Sequence, residues 1–167
     1  EDTNLDNHFN RIFGTSKPVI AMVHLGALPG SPLYDHGQGL AGLQEAALAD
    51  LNALQAAGVD AIMFGNENDR PYELAVDTAS TATAAYIIGS LKSEIKVPFG
   101  VNMLWDPIAS IALGAATGAQ FVREIFTGSY ASDMGSWTAN AGAAMRYRDR
   151  LSRSDMMMLY NVSAEFA

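Results

Sequence analysis

Val97-Pro98-Phe99-Gly100-Val101-Asn102-Met103-Leu104-Trp105-Asp106-Pro107, continued to Phe121-Val122-Arg123-Glu124-Ile125-Phe126-Thr127-Gly128, decides how the whole chain is read. Pro98 can open a strand but not sit within one, because it offers no N–H to a ladder. The run to Met103 is short and apolar, of buried-strand type. Asp106-Pro107 predicts a helix start: the carboxylate accepts from orphan N–H groups, and proline at the first helical position loses no bond. Small apolar residues follow (Ile108, Ala109, Ile111, Ala112, Leu113), and Gly118 is placed to end the helix. Ala119 to Val122 begins another buried strand, which breaks into charge at Arg123-Glu124. The stretch is one β-α-β unit with polar side chains where its strands end.

The same grammar extends in both directions. Upstream, Val19 to Val23 and Val59 to Phe64 are continuous apolar runs; downstream, Met156 to Tyr160 is a fifth. Leu40, Leu43, Ala47, Leu51 and Leu54 recur at three and four, predicting a helix that Gly58 ends. Asp77-Thr78 caps a second, with Ala84, Ile87, Ile88, Leu91 and Ile95 on one stripe. Thr127 to Ser136 reads as a Gly- and Ser-rich loop, and Trp137, Ala141, Ala144, Met145 and Leu151 as a fourth helix. Residues 1–16 form a polar lead-in, with a helical turn around Leu5, Phe9 and Phe13, ahead of one domain over 17–167.

Strands too apolar to have a wet face, alternating with helices, mean a parallel sheet covered on both sides. Two architectures fit this α/β pattern of five strands and four helices. One is an open five-stranded doubly wound sheet, complete at this length. The other is part of a (β/α)₈ barrel, which takes about 250 residues when whole. No G-x-G-x-x-G or G-x-x-x-x-G-K-[ST] follows the first strand, so dinucleotide and P-loop chemistry are unsupported.

Composition narrows the function classes. The chain has 167 residues, of which 49% are apolar, and no cysteine, which excludes disulfides and thiolate chemistry. A net charge of −8 argues against nucleic acid as the main partner. Arg146, Arg150 and Arg153 would share a solvated helix flank at helical spacing. No run approaches the ~20 apolar residues of a membrane span, and the first residues lack a signal-peptide pattern. The expectation is a soluble cytoplasmic protein.

The polar residues at strand ends are the candidates for chemistry. His24 ends the first run and has the side chain of a general base. After the second come Asn66, Glu67 and Asp69; Glu67 and Asp69, with Asp106 from the next unit, are the carboxylates that Mg²⁺ or paired-carboxylate catalysis would use. Without those roles, Asp106 is a cap and the other two are solvated loop charges. At Arg123-Glu124, neighbours point to opposite faces of a sheet covered on both, so one charge needs a buried partner. Arg123 suits a phosphate or carboxylate; an ion pair with Asp106 or Asp133 is the alternative. Asn102 and Asn161 complete the set of strand-end residues, and carboxamides that donate and accept suit a hydroxylated ligand. Ser31, Asp35 and His36 have the residue types of a triad, but closeness in a Gly/Pro loop is not triad geometry. Trp105, Trp137 and Met156 to Met158 read as packing.

Four motifs carry a family resemblance. They are Val19-Ile20-Ala21-Met22-Val23-His24-Leu25-Gly26-Ala27-Leu28-Pro29-Gly30; Gly58 to Tyr72, including Phe64-Gly65-Asn66-Glu67-Asn68-Asp69; Pro98 to Pro107; and Phe121 to Gly135. Together, in this order, they resemble the BtpA family. The resemblance implies a TIM barrel of the ribulose-phosphate-binding type, of which this chain would be the N-terminal five-eighths. It implies two classes of function. One is that of the cyanobacterial namesake, associated with photosystem I biogenesis at the periphery of the thylakoid membrane, which would require contacts with a membrane-protein complex. The other is a barrel enzyme or binding protein for a small anionic metabolite such as a phosphorylated sugar or nucleoside. Unpaired edge strands in a partial barrel would also favour a homo-oligomer.

Overall fold

The computed structural model describes residues 3–163, with side chains from residue 8 onward; the expected domain end at Ala167 and the side chain of Leu5 lie outside the described residues. Helix α1 (Thr3–Phe13) leads into β1 (Ile20–His24), α2 (Gly39–Ala56), β2 (Ala61–Gly65), α3 (Thr78–Ser90), β3 (Phe99–Asn102) and α4 (Pro107–Thr117). Then come β4 (Phe121–Glu124), β5 (Ser129–Ser132), β6 (Gly135–Thr138), α5 (Ala141–Arg150) and β7 (Met157–Tyr160).

Local signals act where the sequence places them. Asp106 caps α4, its Oδ1 accepting from Ile108 N at 3.0 Å and Ala109 N at 2.9 Å, with Pro107 in the first turn. Gly118 ends α4 at φ 75°, a left-handed conformation that a side chain would strain. Asp77 caps α3 through Ser80 N.

The five-stranded sheet runs β1-β2-β3-β4-β7, all neighbours parallel. Strand order therefore follows chain order, with no reversal. A doubly wound sheet reverses at a switch point and carries helices on both faces. Here α2, α3, α4 and α5 all pack on one face, through Leu43, Leu51, Ile87, Ile111, Leu113 and Ala144 against Ile62, Phe64, Val101 and Val122. The open doubly wound alternative is thus replaced by five strands in barrel order, a partial (β/α)₈ arrangement.

The opposite, inward face carries Ala61, Met63 and Phe121, flanked by Ile20, Met22 and Met157. Helix α1 covers it. Phe9, Ile12 and Phe13 recur at three and four, so they share one side of α1. The Phe13 ring lies 5.3 Å from that of Phe121. The lead-in is thus a full helix closing the inner face near the strands' N-terminal ends, which leaves their C-terminal ends open.

Two further readings change. Thr127 to Ser136 is largely a β-hairpin, in which Tyr130 pairs with Trp137 and their rings stand 4.8 Å apart. Trp137 belongs to β6, and α5 begins only at Ala141, capped by the Asn140 side chain accepting from Ala143 N. Its spacing to Ala141 imitated a helix; the aromatic cross-strand pair makes it a strand.

Arg153 also departs from expectation. It lies beyond the end of α5, its side chain only 18% exposed and paired with Asp155 at 3.0 Å. Its guanidinium donates to Gly114 O at 3.0 Å and Ala119 O at 2.6 Å, tying the end of α4 to the approach of β7. Arg153→Ala leaves both carbonyls short of a donor and should cost about 2 kcal/mol in urea unfolding, whereas the exposed Arg146→Ala should cost under about 0.5 kcal/mol. Equal losses would show that Arg153 is only a surface charge.

Candidate functional site

Because the sheet is parallel, the polar residues that end β2, β3, β4 and β7 gather on one side. Three are buried and engaged with one another or with backbone. Asn66 Oδ1 accepts from Leu104 N at 2.7 Å. Asn102 Nδ2 donates to Arg123 O at 2.6 Å and to Glu124 Oε2 at 2.7 Å. Glu124, 1% exposed, also accepts from Ile125 N at 3.1 Å and from Trp105 N at 3.2 and 3.3 Å. Burial pushes its carboxyl up to about 7, against the lowering effect of those N–H groups, the Asn102 amide and the Arg123 charge.

Arg123 shares the inward face with Phe121, two residues earlier. It lines a cleft of about 550 Å³ with Glu67, Tyr72, Leu104, Trp105 and Asn161. The cleft volume falls within the range of small-molecule sites. Arg123 Nε is buried without a hydrogen-bond partner among the described residues. Opposite in charge, Glu67 is exposed on the same rim. Tyr72 OH donates to Glu67 O at 2.8 Å and reaches Glu67 Oε1 at 3.3 Å. Burial first, then the Glu67 charge, holds the Tyr72 hydroxyl above its ordinary titration range. The cleft thus offers a guanidinium, a carboxylate, a phenol and a carboxamide around an indole wall.

The other candidates fall elsewhere. His24 is exposed at the end of β1, an edge strand, and lines none of the clefts described. Asp106 is engaged structurally: one oxygen caps α4 and the other accepts from Val76 N at 2.8 Å. Asp69 accepts from Leu28 N at 3.0 Å and lines a smaller cleft of about 360 Å³ with Asn66, Asp77 and Ser80. Asp133 is exposed at the hairpin turn, apart from the rim. Asn66 and Asn102 are buried links within the protein and do not line the larger cleft; Asn161 alone of the three lines it. Ser31, Asp35 and His36 form no triad: Ser31 donates to Arg70 O, Asp35 accepts from Gly37 and Gln38 N, and His36 packs on Tyr34.

Among the described residues no three of His, Asp and Glu are grouped to hold a metal ion. Of the carboxylates expected for Mg²⁺, Asp69 Oδ1 accepts from Leu28 N and Asp106 Oδ2 from Val76 N, while Glu67 lies on the rim of the larger cleft. Sequence reasoning missed Tyr72 and Trp105 as site residues. Their signal was their position, each in the loop that follows an apolar strand.

Strands in barrel order, with a polar cleft at their C-terminal ends, define a protein of the (β/α)-barrel class. The chain belongs to the BtpA family, whose sequence model matches residues 15–167. It is 51% identical over 156 residues to the putative sgc region protein SgcQ of Escherichia coli K12, covering 93% of this chain and 58% of that protein. It is 36% identical over 158 residues to the photosystem I biogenesis protein BtpA of Synechocystis, covering 93% of this chain and 54% of that one. The chain therefore spans somewhat over half the length of these curated relatives. In fold it resembles the dihydropteroate synthase of Yersinia pestis, with a TM-score of 0.54 at 16% identity, over 89% of this chain and 47% of that one. The synthase of Vibrio fischeri aligns with a TM-score of 0.52 at 12% identity, over 86% of this chain and 62% of that one. At these identities the likeness speaks for the fold alone.

Proposed function

We propose that the barrel mouth binds a small, hydroxylated, anionic metabolite of the phosphorylated-sugar type, with Arg123 taking the anion and Glu67 and Asn161 taking hydroxyl groups. The observation that carries this reading is Arg123 itself: a half-buried guanidinium whose Nε has no hydrogen-bond partner among the described residues, in a cleft shared with Glu67 and Asn161. A guanidinium in that setting is stabilised by an anion that accepts from it in the plane of the fork. Tyr72 fixes one side of Glu67, which leaves the carboxylate as an acceptor toward the cleft.

Titration calorimetry with glucose 6-phosphate tests the reading. Arg123→Ala should weaken binding about 10- to 100-fold, the scale of a lost charge-assisted pair, and Arg123→Lys should restore part of it. Unchanged affinity in Arg123→Ala would remove the anion from this cleft.

A second reading, a role in photosystem I biogenesis through contacts with a membrane-protein complex, draws on the printed name of the Synechocystis relative at 36% identity. The relative at 51% identity carries no such description. No described helix is long and apolar enough to cross a membrane, so on this reading protein contacts would supply the attachment.

A further inference from the structure

Trp105 is the one bulky residue in the mouth whose backbone is strained. Its φ is 70°, in the left-handed region that side chains other than those of Gly, Asn and Asp rarely occupy. Such a conformation persists only where its surroundings over-determine it. The restraint is visible: the Trp105 N–H meets both carboxylate oxygens of Glu124, and Asn102 and Ile125 N hold that carboxylate from other sides. One residue later Asp106 caps α4 and grips Val76 N, so the chain is fixed immediately after the strained residue. The indole that results forms a wall of the 550 Å³ cleft, with Arg123, Glu67 and Asn161 among its other lining groups. Tyr72 stands edge-on to it, ring centroids 6.1 Å apart and planes at 69°, which makes an aromatic corner beside the polar rim.

Resting on the reading of the mouth as an anion site, we infer that Trp105 is its specificity-determining residue, a stacking platform that selects ring-closed sugar phosphates over open-chain ones, and that Glu124 is the residue that positions it. A sugar closed to a ring has a flat face rich in C–H groups and an edge of hydroxyls. The face suits an indole and the edge suits Glu67 and Asn161, while the phosphate reaches Arg123. An open-chain polyol phosphate of the same length can satisfy Arg123 and the rim, but it offers no flat face and must lose more rotational freedom to be held. Glu124 touches no ligand in this scheme; it acts through the backbone of Trp105.

The matched probes are glucose 6-phosphate and glucitol 6-phosphate, titrated into the protein and followed by calorimetry and tryptophan fluorescence. The unaltered protein should prefer the ring form by about five- to tenfold, the scale of one good aromatic contact. Trp105→Gly should bring that ratio to about one, and Trp105→Phe should restore most of it. Glycine adopts φ 70° without strain but gives up the ring contacts with Tyr72 and Trp137, so Trp105→Gly should melt somewhat lower while still binding both probes through Arg123; a Trp105→Phe protein that keeps the melting point but not the ring preference would make Trp105 packing alone and overturn the inference. Glu124→Gln should reduce the ratio and shift the indole emission, and an unchanged ratio there would overturn its positioning role. If both probes bind through Arg123 with a ratio that Trp105→Gly leaves unaltered, the inference fails while the anion site stands. If neither probe binds the unaltered protein at millimolar concentration, the anion site fails and the inference with it.

Discussion

Replacing Glu124 with glutamine should remove a pH dependence of stability worth on the order of 3 kcal/mol. The carboxyl titrates near 7 in the folded protein and near its ordinary 4.5 once unfolded. The folded state therefore holds the proton more tightly. The stability supplied by neutral Glu124 is complete below pH 4.5 and is lost as pH rises through 7. An upward shift from 4.5 to about 7 corresponds to roughly 3 kcal/mol at 1.36 kcal/mol per pKa unit, reduced in practice by relaxation around the buried group. Urea unfolding of the protein and of Glu124→Gln at pH 4, 6 and 8 checks this. The gap between the two should change by that amount across the range, in favour of the variant at high pH. Parallel curves would mean that Glu124 titrates alike in the folded and unfolded protein, as an exposed acid would.

Gly100→Val should be the most damaging change on the inner face, costing about 3 kcal/mol or more and lowering the yield of folded protein. A Cβ at Gly100 would overlap the ring of Phe121, which is fully buried and pressed from the other side by Phe13. Overpacking of this kind typically costs about 1–3 kcal/mol, and the crowding here belongs at the upper end because neither ring has solvent to move into. Denaturant unfolding gives the number. A paired Phe121→Leu should recover part of it, and no recovery would place the strain elsewhere.

These two residues show what could be read from the chain and what could not. The β-α-β unit was legible because its signals are local: Asp106-Pro107 opens α4, Gly118 ends it, and apolar runs mark β3 and β4. Strand order is not a local property. Barrel and doubly wound sheets predict the same alternation, and the resemblance to a family chose between them before the parallel β1-β2-β3-β4-β7 order could be seen. Arg123-Glu124 announced that one charge would be buried with a partner, which Glu124 is. That partner, Asn102, stands 22 residues away and could not be named from spacing.

The same long-range bond ties Asn102 into the scaffold: its Nδ2 donates to Glu124 and to Arg123 O. Asp106 shows the reverse economy, since the bland reading as a cap is the one its geometry supports. The hairpin escaped notice because Ser and Gly dominate its strands, and only the Tyr130–Trp137 pair distinguishes them from a loop. Trp105 escaped for a different reason. Nothing in a sequence marks a tryptophan for positive φ, and its restraint comes from a carboxylate 19 residues away.

The most direct measurement of the central claim is a crystal structure of the protein with glucose 6-phosphate bound. The phosphate should lie within hydrogen-bond distance of the Arg123 guanidinium, inside the cleft lined by Glu67, Trp105 and Asn161. A phosphate held instead in the smaller cleft beside Asp69, Asp77 and Ser80, with Arg123 turned to Glu67, would contradict the assignment of the barrel mouth as the anion site.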